Sequence, residues 1–178
     1  RLKPVCGDRV VAESLDGEDD WLITSITARD NELARPNLRG EPEVLAANLD
    51  VVVVVAAATP RPDWFIVDRY LAAAELMRAD AVLVYNKADI GPPLRAVLDV
   101  YAAIRYPVMV MSAESGEGVG ALEPALRDRT AIFVGQSGVG KSSLINALVP
   151  GADADTGALS TRRNRGRGRG RHTTSTTR

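Results

Sequence analysis

The residues with the clearest chemical potential are the eight from Gly135 to Ser142, whose sequence GQSGVGKS fits the pattern G-x-x-x-x-G-K-[ST]. In such a loop the backbone N–H groups and the following helix face phosphate oxygens, the lysine reaches the β- and γ-phosphates, and the serine hydroxyl binds Mg²⁺. Strand-forming residues 131–134 precede the loop and helix-forming residues 144–148 follow it. We therefore predict a site for a nucleoside triphosphate with Mg²⁺, a glycine-rich turn without ligand being the alternative. Its predicted contacts are Gly135, Gln136, Ser137, Gly138, Val139, Gly140, Lys141, Ser142 and Ser143.

A second motif, Asn86-Lys87-Ala88-Asp89, indicates which base is bound. It directly follows a predicted strand and should therefore lie at the carboxyl edge of the sheet, where ligands bind in α/β folds. The Asp89 carboxylate can accept hydrogen bonds from N1–H and the 2-amino group of guanine. Adenine has no donor at either position and would leave the carboxylate unpaired, at a cost of about 1–3 kcal/mol. We expect Asn86 to brace the loop and reach the purine, and the stem of Lys87 to cover the base face.

Ser112 and Ala113 form a third, weaker signal because they end the next predicted strand. At that position a backbone N–H could meet O6 of a guanine. Together, the three segments predict a guanine nucleotide site made by three loops at one edge of a sheet.

The elements that must position these loops alternate between strand and helix from residue 48 onward, which predicts an α/β fold with a parallel sheet and helices on both faces. The unbroken Val/Ala run at 51–57 is typical of a strand buried on both faces. Further strands are predicted at 81–85, 108–111 and 131–134, and helices at 64–78, 92–104, 119–127 and 142–148. Residues 152–178 lack periodicity and are predicted to be a mobile loop.

Residues 1–45 have a different pattern, with short strand-forming segments at 10–12, 21–26 and 32–35. We predict a small β-barrel here. Because these segments are too few for a stable independent sheet, we expect further residues upstream of Arg1 to complete it. The predicted division is therefore a β-domain at 1–45 and an α/β domain at 46–178.

Composition and charge restrict the function classes. With one cysteine, Cys6, and one histidine, His172, the 178 residues cannot form a disulfide framework, a Cys/His zinc site or a Ser-His-Asp triad among themselves. No apolar run has the length of a membrane span, so we expect a cytoplasmic protein. The net charge is −1, yet residues 161–178 hold seven arginines and no acid. This basic segment suggests a polyanion as partner, and a solvated loop without function is the alternative.

The three nucleotide motifs together resemble the Ras-like (TRAFAC-type) GTPases, but in permuted order, because Asp89 precedes Gly135. A β-domain ahead of a circularly permuted GTPase domain resembles the ribosome small-subunit-dependent GTPase A (RsgA, or YjeQ) family. Besides the loops already named, the likeness rests on segments spread over nearly the whole chain. These are Gly7-Asp8-Arg9-Val10, Leu33-Ala34-Arg35-Pro36, Ala47-Asn48-Leu49-Asp50, Val67-Asp68-Arg69-Tyr70-Leu71 and Gly170-Arg171-His172-Thr173-Thr174.

The resemblance implies an N-terminal OB-fold that binds ribosomal RNA, and GTP hydrolysis stimulated by the small (30S) ribosomal subunit late in its maturation. It implies GTP/GDP and Mg²⁺ as ligands and a monomer. It also implies that residues 152–178 are a switch I segment, with Thr174 binding Mg²⁺ or, if the register slips by one, Thr173. His172 would be a candidate for positioning the attacking water, although a single histidine in a loop can also be inert.

Two features depart from the family pattern. No D-x-x-G motif follows the predicted switch I segment, and the family's C-terminal zinc domain, for which this chain has no ligands, is missing. Because the D-x-x-G strand should flank strand 131–134, that strand would be left as an apolar edge. We therefore expect the chain to be part of a longer protein.

Three hypotheses follow. The first is a GTPase whose nucleotide state controls binding to the small ribosomal subunit, with Lys141, Ser142, His172 and Thr174 as its predicted machinery. The second is a GTP-dependent rRNA-binding module in which hydrolysis is incidental. The third is a permuted GTPase of the large subunit, which the N-terminal β-domain disfavours.

Overall fold

The structure is a computed structural model that describes residues 2–15, 20–149, 151–152 and 154. Its N-terminal part consists of two antiparallel strand pairs. The first joins β1 (Val10–Ser14) to β2 (Trp21–Ile26), and the second joins β3 (Glu32–Pro36) to β4 (Pro42–Ala47). Three of these strands lie where the sequence predicts them, whereas β4 was not predicted. Among the described residues the pairs form two separate sheets rather than a closed barrel, so the OB-fold stays a prediction.

The division at residue 45 also stays a prediction, although β4 runs through that position. A single bridge between Cys6 and Ala46 connects the N-terminal segment to β4. A division that kept β4 intact would therefore place it wholly in the N-terminal part.

The remainder of the described chain is an α/β layer structure around a parallel sheet, as the sequence predicts. Its strands are β5 (Val51–Ala57), β6 (Asp80–Asn86), β7 (Val108–Val110) and β8 (Ala131–Val134). Their spatial order is β7-β6-β5-β8, and every pairing is parallel. All seven residues of β5 are buried, which explains the unbroken Val/Ala run in the sequence.

In the part of the chain that the structure describes, four α-helices cover the sheet: α1 (Trp64–Met77), α2 (Arg95–Ala103), α3 (Glu123–Leu126) and α4 (Lys141–Leu148). Helix α1 begins at Asp63, whose carboxylate accepts hydrogen bonds from two backbone N–H groups of the first turn. The third predicted helix is shorter than expected, since residues 119–122 form a 3₁₀ turn and only one α-helical turn follows. Two apolar cores result, one between the sheet and α1 and α2, the other beneath α3 and α4.

Asn31 joins the N-terminal strands to the α/β layers. Its amide nitrogen donates to the carbonyls of Leu49, at 2.8 Å, and Met77, at 3.3 Å, and its amide oxygen accepts from the Leu49 N–H at 2.7 Å. Asn48 makes a second connection, donating to the Gly7 carbonyl at 2.9 Å and accepting from the Asp30 N–H at 2.9 Å. Because the Asn31 amide satisfies backbone groups of Leu49 and Met77, it fixes the start of the second hairpin against the end of α1, whereas Asn48 connects segments of the N-terminal part.

Strand β8 lies at one edge of the sheet and pairs with β5 alone among the described residues. Its burial is incomplete at Ala131, Ile132 and Phe133, as expected for an apolar strand that lacks a neighbour on one side. No helix in the described part of the chain is long and apolar enough to cross a membrane.

Candidate functional site

The carboxyl edge of the parallel sheet brings together the three segments singled out in the sequence. Asn86 is the last residue of β6, Ser112 follows β7, and Gly135 follows β8. Because parallel strands all end at the same edge, the loops that continue them are neighbours despite their separation in sequence.

The side chain of Asn86 connects these loops directly. It is almost fully buried, its amide nitrogen donates to the Val139 carbonyl at 2.9 Å, and its amide oxygen accepts from the Ala113 N–H at 3.0 Å. One residue therefore fixes the distance between the loop at residues 135–142, which is the predicted phosphate-binding loop, and the loop after β7. Each of these buried hydrogen bonds would cost about 1–3 kcal/mol if its partner were removed.

Lys87 adds a second connection to the same loop. It has a positive φ of 59°, and its ammonium donates to the carbonyls of Gly138, at 2.6 Å, and Thr59, at 2.9 Å. The extended side chain thus reaches from the end of β6 to both the phosphate-binding loop and the loop between β5 and α1. Thr59 could not be predicted from the sequence, because the contact uses its backbone carbonyl and has no side-chain signature.

At two positions of the phosphate-binding loop only glycine fits, because a neighbouring atom lies too close for a Cβ atom. Gly135 has φ of 137°, and a Cβ there would overlap the Val55 carbonyl oxygen of the neighbouring strand. Gly140 has φ of 90°, and a Cβ there would overlap the amide nitrogen of Asn86. The glycines therefore let the loop lie against β5 and against the motif that follows β6.

Lys141 begins α4 with its ammonium turned back over the loop, donating to the carbonyls of Gly135, at 3.1 Å, and Gln136, at 2.8 Å. Burial lowers the pKa of this ammonium from its ordinary value. The N-cap residue of α4 is Gly140, which has no side chain to cap the first turn. The N-terminus of α4 and the half-buried Lys141 ammonium thus lie together, an arrangement that is suited to bind an anion.

The donor set around the loop fits Mg²⁺ held mainly by a nucleotide. Ser142 lies in the first turn of α4, and among the described residues no three His, Cys, Asp or Glu side chains form a metal cluster. Mg²⁺ commonly keeps waters and uses one or two protein ligands together with substrate phosphates. The Ser142 hydroxyl, at the start of α4, stays the predicted protein ligand of Mg²⁺.

The loop after β7 is built around Ser112, which is fully buried. Its N–H donates to the Glu117 carbonyl at 2.9 Å, and its hydroxyl accepts from the Ser115 N–H at 3.1 Å. The neighbouring Ala88 N–H donates to the Met111 carbonyl at 3.2 Å. Asp89, in the same turn, is exposed, so its carboxylate is accessible to a base at this edge.

Comparison with known proteins gives a family that agrees with this arrangement of motifs. The family model described as RsgA GTPase covers residues 26–178. The chain is 42% identical, over 98% of its length, to proteins named small ribosomal subunit biogenesis GTPase RsgA from Ectopseudomonas mendocina and Azotobacter vinelandii. The chain belongs to the RsgA GTPase family. It spans about half the length, 51%, of these curated relatives.

Two solved structures share the fold of this family member. YjeQ from Thermotoga maritima superposes with a TM-score of 0.66 at 34% identity, over 84% of this chain and 52% of that one. YloQ, described as a circularly permuted GTPase, superposes with a TM-score of 0.62 at 25% identity, over 86% of this chain and 53% of that one. The α/β fold of this chain is thus shared with a solved structure that is described as a circularly permuted GTPase.

Some predicted residues of the RsgA family site lie outside the described residues. These are His172, Thr173 and Thr174, together with nearly all of the predicted switch I segment and its arginines. Their roles stay predictions.

One further residue of the loop has an unexpected environment. The side-chain oxygen Oε1 of Gln136 is buried and accepts no hydrogen bond among the described residues. Gln136 also lines a cavity of about 340 Å³ between β3, β4, α1 and the beginning of the phosphate-binding loop. The loop pattern allows any residue at this position, so the sequence could not indicate the environment of this side chain.

Proposed function

We propose that the protein binds and hydrolyses GTP and acts in the biogenesis of the small ribosomal subunit, which stimulates its GTPase activity late in maturation. The observation that carries the proposal is the pair of hydrogen bonds by which Asn86 joins the Val139 carbonyl and the Ala113 N–H. A guanine-selective motif fixed in this way to a phosphate-binding loop is suited to hold a base and its phosphates at once. Membership of the RsgA GTPase family and the name of the curated relatives support the ribosomal role.

In the proposed site, Asp89 accepts from the guanine N1–H and 2-amino group, and the Ala113 region supplies a donor near O6. The candidate contacts Lys87 and Ala88 flank this base pocket, and those at 135–143 surround the phosphates. Lys141 releases its loop carbonyls and donates to the β- and γ-phosphates instead, so its positive charge stabilises the charge that develops during transfer. Mg²⁺, when bound, neutralises charge on the β- and γ-phosphate oxygens.

Finer assignments of residues, domain and state belong to the same proposal. Thr174, or Thr173 in the alternative register, completes the Mg²⁺ site with Ser142, and His172 positions the attacking water. The N-terminal strands belong to an OB-fold that binds ribosomal RNA, and the arginines of the switch I segment add salt-sensitive phosphate contacts. The protein acts as a cytoplasmic monomer.

A GTP-dependent rRNA-binding module with incidental hydrolysis is the alternative function. The two are distinguished by steady-state GTP hydrolysis by the full-length protein alone, with small subunits, with large subunits and with free RNA. The proposal predicts strong stimulation by small subunits only, lost in Lys141→Ala. Equal rates under all four conditions would contradict it and favour the binding module.

A further inference from the structure

Asn146 lies on α4, outside the set of residues assigned above to the nucleotide site. Its side-chain amide forms two hydrogen bonds with the backbone of Ala154. The amide nitrogen donates to the Ala154 carbonyl at 3.1 Å, and the amide oxygen accepts from the Ala154 N–H at 3.0 Å. Because one planar amide satisfies both backbone groups of a single residue, the contact fixes the orientation of the chain at this point as well as its position.

The chain reaches Ala154 by reversing its direction after the end of α4. The Ala152 N–H donates to the Val149 carbonyl at 2.9 Å, which closes a turn. Gly151, within this turn, has φ of 86°, a conformation that favours glycine. Since Ala154 lies beside Asn146 and not beyond the last residue of the helix, the chain runs back toward the N-terminal end of α4.

Ser142 connects this arrangement with the predicted chemistry. It precedes Asn146 by one helical turn, so the two side chains lie on the same face of α4. The rise of an α-helix places the two residues about 6 Å apart along its axis. Ala154 is thus held on the face of the helix that carries the predicted Mg²⁺ ligand, and the chain approaches this ligand from the C-terminal end of the helix.

The helix that carries Asn146 is itself fixed by the apolar core beneath α3 and α4. Leu144 is fully buried in this core, and Leu148 packs against it. Asn146 and Ala154 are both half-buried, so their hydrogen bonds are partly shielded from competing water. The Asn146 amide is therefore a rigid anchor for the chain that continues from Ala154.

We propose that Asn146 is a positioning residue for GTP hydrolysis, because it holds the Ala154 backbone on the Ser142 face of α4 and so sets where the following chain begins. This inference rests on the proposed function, in which residues beyond Ala154 contact Mg²⁺ and the attacking water. The base and the first two phosphates are held in that proposal by residues 86–89, 112–113 and 135–143. Loss of the Asn146 contact should therefore affect GTP and its hydrolysis far more than GDP.

The test uses the full-length protein with Asn146→Ala and Asn146→Leu, which both remove the two hydrogen bonds, while leucine keeps the branched shape of the side chain. Hydrogen exchange at the Ala154 amide reports the contact directly and should become at least about tenfold faster in both variants. GDP affinity should change by less than about threefold. Affinity for a non-hydrolysable GTP analogue and the kcat of GTP hydrolysis should each fall by at least about tenfold.

Leu148→Ala is the matched control. It weakens the same end of α4 through the apolar core and leaves the Asn146 amide in place. This variant should lower the midpoint of urea unfolding, whereas the kcat of hydrolysis and the ratio of GDP to GTP-analogue affinity should stay within about twofold of the wild type. A purely structural role of Asn146 would give the same result in the Asn146 variants as in this control.

The inference is wrong if the Asn146 variants hydrolyse GTP as the wild type does, if they lose GDP and GTP-analogue affinity equally, or if Leu148→Ala reproduces their kinetic defect. Unchanged exchange at the Ala154 amide in both variants would also overturn it. A wild type that neither binds nor hydrolyses GTP would contradict the proposed function together with this inference. A wild type that hydrolyses GTP, with Asn146 variants that match it, contradicts this inference alone.

Discussion

The amide nitrogen of Asn86 lies 2.9 Å from the carbonyl oxygen of Val139, across 53 residues of sequence. Through this hydrogen bond the end of β6 and the phosphate-binding loop after β8 hold each other in place. The motif for the base and the motif for the phosphates are therefore parts of one structure, even though their order along the chain is permuted.

Replacing Asn86 should damage stability and nucleotide binding together. In Asn86→Ala the Val139 carbonyl and the Ala113 N–H both lose their partner, which we expect to lower the free energy of unfolding by about 2–5 kcal/mol and GDP affinity by more than about tenfold. Urea unfolding and a fluorescent-GDP titration measure the two effects. Asn37→Ala, in an exposed hairpin turn, is the control, and equal stability losses in both variants would contradict the special role of Asn86.

A methyl group at Gly140 should push the phosphate-binding loop away from the motif at residues 86–89. Gly140→Ala combines an unfavourable φ of 90° with overlap of the Asn86 amide, so GDP binding should be lost. Gly138→Ala has a similar φ of 81° but meets nothing closer than 3.6 Å, so it should show only the backbone cost of about 1–2 kcal/mol. Gly120→Ala, with open space around the new methyl, should bind GDP normally. Equal affinity in the Gly140 and Gly138 variants would show that overlap with Asn86 is unimportant.

Exchanging Asp89 for asparagine should change which base is bound. In the proposed site the carboxylate accepts a hydrogen bond from the 2-amino group of guanine, whereas an amide could donate to the 2-carbonyl of xanthine. Asp89→Asn is therefore expected to lose at least about tenfold in GDP affinity and to gain affinity for xanthosine diphosphate. Competition titrations with both nucleotides measure the exchange, and an unchanged preference for guanine would exclude Asp89 from the base pocket.

The lowered pKa of Lys141 predicts a pH dependence of binding. Burial favours the neutral amine in the empty loop, whereas a bound phosphate favours the ammonium, so the pKa is lower in the free protein than in the complex. Between these two pKa values binding takes up a proton, and nucleotide affinity must fall as the pH rises.

Guanine N1–H also loses its proton in alkali, so Lys141→Arg, whose guanidinium stays charged, is the matched comparison. The wild type should lose more affinity than this variant as the pH rises toward the ordinary pKa of lysine. Parallel profiles would contradict the prediction.

Much of the fold can be predicted from the sequence because the patterns that indicate strands and helices are local. The buried run at 51–57 and the predicted strands at 81–85, 108–111 and 131–134 correspond to β5–β8. Strand β4 was missed because PEVLAA, with a proline and two alanines, is a weak strand former that depends on its pairing with β3. Pairing between distant segments cannot be recovered from local propensity.

The same distinction applies to the candidate site, where some residues can be predicted from the sequence and others cannot. Residues whose types are dictated by phosphate or guanine chemistry, such as Lys141 and Asp89, can be found from their spacing alone. The Thr59 carbonyl has no side-chain signature, and Gln136 occupies a position where the loop pattern accepts any residue. Their roles depend on how α1 and the second hairpin approach the loop, which is decided by tertiary packing.

The central claim is that three separate loops form one guanine nucleotide site. It is tested most directly by the dissociation constants of GDP and ADP for the full-length protein with Mg²⁺, each measured also for Lys141→Ala. We expect GDP to bind at least about a hundredfold more tightly than ADP, and we expect Lys141→Ala to weaken GDP binding strongly. Equal affinity for the two nucleotides would contradict the proposal that residues 86–89 bind the base. An unchanged GDP affinity in Lys141→Ala would contradict the phosphate site itself.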